Sequence, residues 1–461
     1  MKNSRSQRRQ GPFPVSGPAD ILAFIPHSLG FAPRESLVLM TVDSARLGAT
    51  LRLDLPASAL DYTDFAARVS EILRSDRSAN GVLMALYTER SWKEPGVPPY
   101  RRLVTALGQS LADAGLPIKD GWVVSATTWR EYFCEDSSCC PWPGHPLHDI
   151  TNSTLSAEMV YRGSAFAQSL EEAVAMDLPP VWAGAGAASG HRAAYVRRLE
   201  GRWCGYSQFA GTLAVWDEFF SSVAKTGQGG SGEAGRYRES RALAEPKNSA
   251  NPSGAAPNGA DYGCPQLRAD PEAVGFLLAS LRVRPVRDTL LVMAALGREP
   301  ALSGAVACRL LSRDAGDPLL PPGPEHHTVA SASPPHRVPG DAGHVFRDVL
   351  VGQYRKTPQW RGMDAAFAVF AELLAADTAD QETDHEATAA LLSLLAWIEW
   401  ARGRGSRAQV YLTRCLETLP GYRLAQLLEE LLATGLFPVW AQKAATAWKG
   451  SSEQQQGSTR P

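Results

Sequence analysis

Between Leu37 and Val42 the chain reads Leu-Val-Leu-Met-Thr-Val, an apolar run in which Thr41 is the only polar residue. A half-exposed strand would alternate apolar and polar side chains. A run without alternation suits a strand covered on both faces, so this stretch predicts the central strand of a layered α/β sheet. Upstream, an apolar entry at Ile21 leads into Pro26–Ser36, where Gly30, Pro26 and Pro33 punctuate the chain. Read as a loop, Pro26–Ser36 delivers His27, Arg34, Glu35 and Ser36 to the start of the strand. They then either line a pocket or form a solvated turn with a capping serine.

The following residues extend the sheet. Thr50–Leu55 alternates leucines with Arg52 and Asp54, and only Asp43–Arg46 separates it from the first strand, which is the pattern of a hairpin. Phe65, Val69, Ile72 and Leu73 recur at helical spacing, and Asn80-Gly81 turns the chain into a strand at Val82–Tyr87. Leu103, Leu107 and Leu111 mark a second helix after Pro98-Pro99, and another strand opens at Trp122. The order strand, strand, helix, strand, helix, strand makes the last three strands parallel and the first antiparallel to them. Ligands in open α/β sheets favour the edge beyond the strands' carboxyl ends. This topology brings Arg34, Glu35, Glu89 and Arg90 to that edge, and with His27 and Ser36 they form a candidate ligand pocket. The alternative is a solvated rim of charge.

Glu131–His148 concentrates chemistry of another kind, with three of the seven cysteines of the chain. Thiolate and imidazole are the donors zinc prefers, so Cys134, Cys139 or Cys140, His145 and His148 form a candidate metal site. Pro141 biases Cys140 towards extended backbone, in which neighbouring side chains point apart, so one of the vicinal cysteines ligates more easily than both. Three readings stand: a structural zinc, a redox-sensitive thiol group, or cysteines buried beneath a Pro-rich loop.

Three motifs point to a family. Pro26–Val38 follows P-x-x-L-G-F-x-P-x-x-S-L-V, Cys134–Gly144 follows C-x4-C-C-P-x-x-G, and Ala396–Ala408 follows A-W-I-E-W-x-x-G-x4-A. Together they resemble a mostly actinobacterial family, domain of unknown function 4192. The resemblance brackets nearly the whole chain and implies no activity, so function is read from the residues.

At 461 residues and 44% hydrophobic content the chain is long enough for two or three domains. The 46 basic and 48 acidic residues leave a net charge of −2, so no global field favours nucleic acid or an anionic membrane. Prolines at 12, 14, 18 and 26 break up the segment after the basic Met1–Gln10, which predicts no secretory leader, and no apolar run is long enough to span a membrane. The odd cysteine count fits a reducing, cytoplasmic compartment.

These patterns predict a disordered N-terminus at 1–18, a mixed α/β domain at 19–163 and a helical extension at 164–225. A disordered linker follows at 226–263, where Leu243 is the only large aliphatic between Thr226 and Asp261. A helical domain at 264–448 begins with Asp270-Pro271 as cap and first turn, contains a Pro-rich loop at 316–343 with His326, His327 and His336 in it and His344 just after it, and precedes a disordered tail at 449–461. Within it Gly403, Ala408, Cys415 and Pro420 have the spacing of one tetratricopeptide-like helical hairpin.

Enzyme motifs are missing: neither Gly184–Gly190 nor Gly230–Gly235 has the spacing and lysine of a phosphate loop, and His385-Glu386 lacks the second histidine of a zinc protease. The expectation is therefore a mixed α/β domain followed by an all-α region, serving as a non-catalytic ligand- or partner-binding protein. The alternative is an enzyme using the sheet edge or the cysteines. A protein partner would dock on the C-terminal helices if Trp397, Trp400 and Tyr411 anchor an interface rather than fill a core.

Overall fold

A computed structural model of the chain describes residues 15–43, 46–56, 62–90, 92, 96–182, 185–229, 264–313, 316–322, 338–378, 385–443 and 445–449. The expected disorder of residues 1–14 and 450–461, the insertion beyond Gly229 with Gly230–Gly235, and His326, His327 and His336 lie outside the described residues. The chain divides into two units, Met1–Ala173 and Val174–Pro461.

In the first unit the apolar run forms β1 (Ser36–Asp43), buried from Ser36 to Thr41. It lies between β2 (Arg46–Asp54) and β3 (Gly81–Tyr87), antiparallel to both. β3 pairs in parallel with β4 (Ile118–Val124), and β5 (Thr128–Glu131) and β6 (His145–Pro146) continue the sheet antiparallel, giving the order β2-β1-β3-β4-β5-β6. β2, β3 and β4 therefore run one way and β1 the other, as the connections predict. β5 and β6 have no counterpart in the sequence reading, because at four and two residues they are too short for alternation to show.

Thr41, the one polar residue of the Leu37–Val42 run, sits where the register with β2 slips, between Met40 and Val42. The Thr41 hydroxyl accepts from the Ala49 amide at 2.7 Å and donates to Asp76 Oδ2 at 2.5 Å, so the buried group is fully partnered. That bond holds the Asp76 carboxyl below its ordinary range.

Pro26–Ser36 is not all loop. Helix α1 (Pro18–Leu29) runs through Pro26 and stops at Gly30, whose φ of 80° is left-handed and whose amide bonds Pro26 O at 2.8 Å. A proline in the last turn forfeits one intrahelical bond, which burial of the apolar stripe offsets. Leu22 and Ile25 of that stripe pack on Val38, Met40, Leu83, Ala85, Trp122, Val124 and Trp129. By the strand period of two, the equally buried Leu37 and Leu39 face the other side. There the amphipathic α2 (Tyr62–Leu73) and α3 (Arg101–Asp113) pack together and bury Val69, Leu73, Leu103, Leu107 and Leu111. Behind the sheet, α4 (His148–Thr151) and α5 (Thr154–Tyr161) pack on α1, and Asp20 Oδ1 accepts from the Leu155 amide at 3.0 Å.

The second unit is helical. Asp270 caps the helix Pro271–Leu281 by accepting from the Ala273 amide at 2.9 Å, as the cap-plus-proline pattern predicts. The helix His385–Ala401 is buried on every side from Ala387 onward, which marks it as central. It packs against Gly405–Thr418 across Gly403, with Ala408 and Cys415 fully buried between them. Trp397, Trp400 and Tyr411 are at most 2% exposed, so these three fill the core and are not anchors on its surface. Buried acids are paired with arginine: Glu399 with Arg402 at 2.5 Å, Glu372 with Arg268 at 2.7 Å, and Asp377 with Arg192. Among the described residues no helix is long and apolar enough to cross a membrane.

Deleting the Leu39 side chain should leave a cavity between sheet and helices. Leu39→Ala is expected to lower the free energy that protects the β1 amides from hydrogen exchange by about 2–5 kcal/mol. Val97→Ala, at a side chain 71% exposed, should change it by less than about 0.5 kcal/mol.

Candidate functional site

The sheet-end residues converge only in part. Glu35 precedes β1 with a φ of 39°, and its Oε1 accepts from Thr88 Oγ1 at 3.1 Å and from the Glu89 amide at 2.6 Å. Arg90 follows, its amide donating to Thr88 Oγ1 at 3.2 Å and its guanidinium lying 4.3 Å from the Tyr100 ring centroid. Tyr100 is also left-handed, with a φ of 58°, and burial raises its hydroxyl above the ordinary range. Glu35, Thr88, Arg90 and Tyr100 thus meet at the end of β3. Glu89 contributes its backbone and Arg34 only a carbonyl, which accepts from Ser36 Oγ; both side chains are exposed. Ser36 is buried and also accepts from Arg52 Nε at 2.9 Å. His27 lies on α1, with Nδ1 2.9 Å from Ser164 Oγ, its ring edge-on to Phe166, and its pKa lowered by burial. Sequence reasoning misses Thr88 and Tyr100, since neither a strand-end threonine nor a tyrosine after two prolines carries a signal of its own.

The cysteine loop gathers more tightly. Cys134 Sγ lies 3.1 Å from Cys139 Sγ, Cys139 Sγ lies 3.7 Å from Cys140 Sγ, and all three sulfurs fall within 4.8 Å of one another. A turn makes this possible: the Cys140 amide bonds Asp136 O at 2.9 Å, and Asp136 Oδ1 accepts from the Ser138 amide at 2.8 Å. The burial expected of these cysteines holds only for Cys140, because Cys139 is exposed and Cys134 half-buried. Neither histidine is among the groups gathered there. His145 pairs with Trp129 across β5 and β6, stacks on its ring at 4.7 Å and places Nε2 3.0 Å from Cys139 O. The exposed His148 begins α4 and lies 3.2 Å from Asp149 Oδ1.

Residues 18–319 and 359–439 match the family model described as a domain of unknown function (DUF4192). The chain belongs to the DUF4192 family. No curated protein and no solved structure matches it.

In this DUF4192 chain the loop rests on Arg130, which is 2% exposed on β5. Its guanidinium lies 3.6 Å from the Trp142 ring centroid and 5.1 Å from that of Trp92, and it donates from Nη2 to Cys134 O at 3.0 Å. The buried charge is thus met by two aromatic faces and a carbonyl, and it ties the first cysteine to the sheet. Gly144 closes the loop with a φ of 143°, and a Cβ there would lie 2.6 Å from Trp129 O, so only glycine fits between loop and strand. Trp142 lies within the cysteine motif, but Trp92 and Arg130 are distant in sequence and their pairing has no linear signature.

The sulfurs tune one another. The hydrogen bond from Cys139 holds the Cys134 thiol below its ordinary range, and a backbone hydrogen bond at Asp136 adds to this. The same contact pushes Cys139 up to about 12, and burial raises Cys140. Two thiols in hydrogen-bond contact shift in opposite directions, the accepting sulfur down and the donating one up.

Arg130→Lys keeps the charge but loses the planar fork. Peptide-resolved labelling of the full chain should show Cys140 reacting about tenfold faster, equivalent to roughly 1.4 kcal/mol of lost local stability. An unchanged rate would mean that the loop holds itself.

Proposed function

We propose that this DUF4192 protein is a non-catalytic metal-binding protein that holds one thiophilic divalent ion, with zinc the best fit, through Cys134, Cys139 and Cys140. The observation that carries the reading is the gathering of three sulfurs within 4.8 Å on a loop braced from below. Thiolates about 2.3 Å from a tetrahedral ion lie about 3.8 Å apart, close to the 3.7 Å between Cys139 and Cys140 and within a small adjustment of the 3.1 Å between Cys134 and Cys139. Three thiolates and a divalent ion carry one net negative charge, which the buried Arg130 complements. The exposure of Cys139 leaves the fourth position to water or to an external ligand.

Such an ion would tie the Cys134–Gly144 loop together through three protein donors, and although the open fourth position departs from a closed structural site, the proposed role is stabilisation of that loop. A cytoplasmic location goes with this reading, since free thiolates persist in a reducing compartment. Docking of a protein partner on the C-terminal helices draws no support from Trp397, Trp400 and Tyr411, which are buried. An enzyme at the sheet end is less favoured, because Glu35 is already engaged by Thr88 and Glu89.

Protein purified without a histidine tag should contain close to one equivalent of zinc by elemental analysis. Cys134→Ser, Cys139→Ser and Cys140→Ser should each weaken zinc binding by more than the roughly 10- to 100-fold that loss of a group supporting a ligand costs. Less than about a tenth of an equivalent, with every thiol titrating after unfolding, would overturn the reading.

A further inference from the structure

The same loop carries a second chemistry. The Cys134 and Cys139 sulfurs lie 3.1 Å apart, closer than those of Cys139 and Cys140 at 3.7 Å, and the Asp136 carbonyl lies 3.8 Å from the first and 3.6 Å from the second. The turn that ends in the bond from the Cys140 amide to Asp136 O folds the chain back and brings the two sulfurs together. Neither thiol is shut off from solvent, Cys139 being exposed and Cys134 half-buried. Cys140 differs: it is 5% exposed, its sulfur is 3.7 Å from Cys139, and its chain neighbour is Cys139 itself, which would force a strained eight-membered ring. The structure therefore separates an accessible, preformed pair from a shielded third sulfur.

We propose that Cys134 and Cys139 are a hydroperoxide-oxidisable dithiol whose disulfide empties the three-sulfur site. This rests on the metal-binding reading for its consequence, not for its chemistry. One sulfur attacks the peroxide oxygen, forming a sulfenic acid and releasing water from hydrogen peroxide or an alcohol from an organic hydroperoxide. The second sulfur then displaces the hydroxyl as water. Two thiols lose two electrons and two protons, and the peroxide O–O bond takes up both. With two of three donors joined, the ion is left with Cys140 alone and leaves as the hydrated cation. A dithiol reductant reverses the step.

The full chain is treated with one equivalent of hydrogen peroxide, once loaded with zinc and once after chelation, and its disulfides are mapped by mass spectrometry without reduction. The expected product in both arms is a Cys134–Cys139 disulfide, with zinc appearing on a chromogenic chelator in the loaded arm and returning to the protein after a dithiol is added. Cys140→Ser should still form that disulfide, whereas Cys139→Ser should stop at a Cys134 sulfenic acid trapped by a cyclic 1,3-diketone. A Cys139–Cys140 disulfide, or oxidation at Cys204 and Cys308 with Cys134 and Cys139 intact, would overturn the proposal. The two readings fail separately. Protein that holds no zinc yet forms the disulfide sinks the metal reading alone, and protein that holds zinc and forms no disulfide in either arm sinks the dithiol alone.

Discussion

The buried guanidinium of Arg130 is the interaction on which the cysteine loop depends. A charge that is 2% exposed is costly unless its donors are used and its field is met. Here the Trp142 and Trp92 faces meet the field, and the Cys134 and Pro141 carbonyls accept from Nη2 at 3.0 Å and from Nη1 at 3.5 Å, while Nε has no hydrogen-bond partner among the described residues, so the loop is attached to the sheet by the residue it covers. Tyr132 extends the attachment by donating from its hydroxyl to Pro99 O at 2.9 Å, at the entry to α3. The sulfurs are therefore held by a rigid strand rather than by a free loop, which is what a site with three donors needs if ordering entropy is not to cancel its affinity.

β1 does the equivalent for the sheet. It has neighbours on both sides and helices over both faces, and the polar side chain in the middle of its apolar run is absorbed by the slip in register at Thr41. Because β1 opposes β3, the residue before it and the residues after β3 arrive at one end of the sheet. Glu35 reaches Thr88 and the Glu89 amide for that reason. Its left-handed φ of 39°, like the 58° of Tyr100, is backbone strain of about 1–3 kcal/mol that the surrounding hydrogen bonds offset.

The fold class was legible because it rests on periodicity. The unbroken run at Leu37–Val42, the helical spacing of Val69 and Leu73, and the cap at Asp270 each carry a local signal. The α1 helix was not legible, because Pro26 and Gly30 read as loop punctuation, whereas in three dimensions they form the last turn and the stop of a helix whose Leu22 and Ile25 seal the sheet. In the candidate metal site the cysteines could be picked out by residue type and spacing alone. The histidines could not be placed, because His145 belongs to a two-residue strand and His148 to a one-turn helix, elements too short to announce which way a ring points. Arg130 and Trp92 escape any reading of the sequence because their contact is tertiary.

The most direct test is the coordination shell of bound zinc, measured by X-ray absorption at the zinc edge on the full chain. Three sulfur neighbours at about 2.3 Å and one lighter donor at about 2.0–2.1 Å, without the multiple-scattering signature of imidazole, are expected. Two or fewer sulfurs, or a shell that includes imidazole from His145 or His148, would contradict the three-thiolate site.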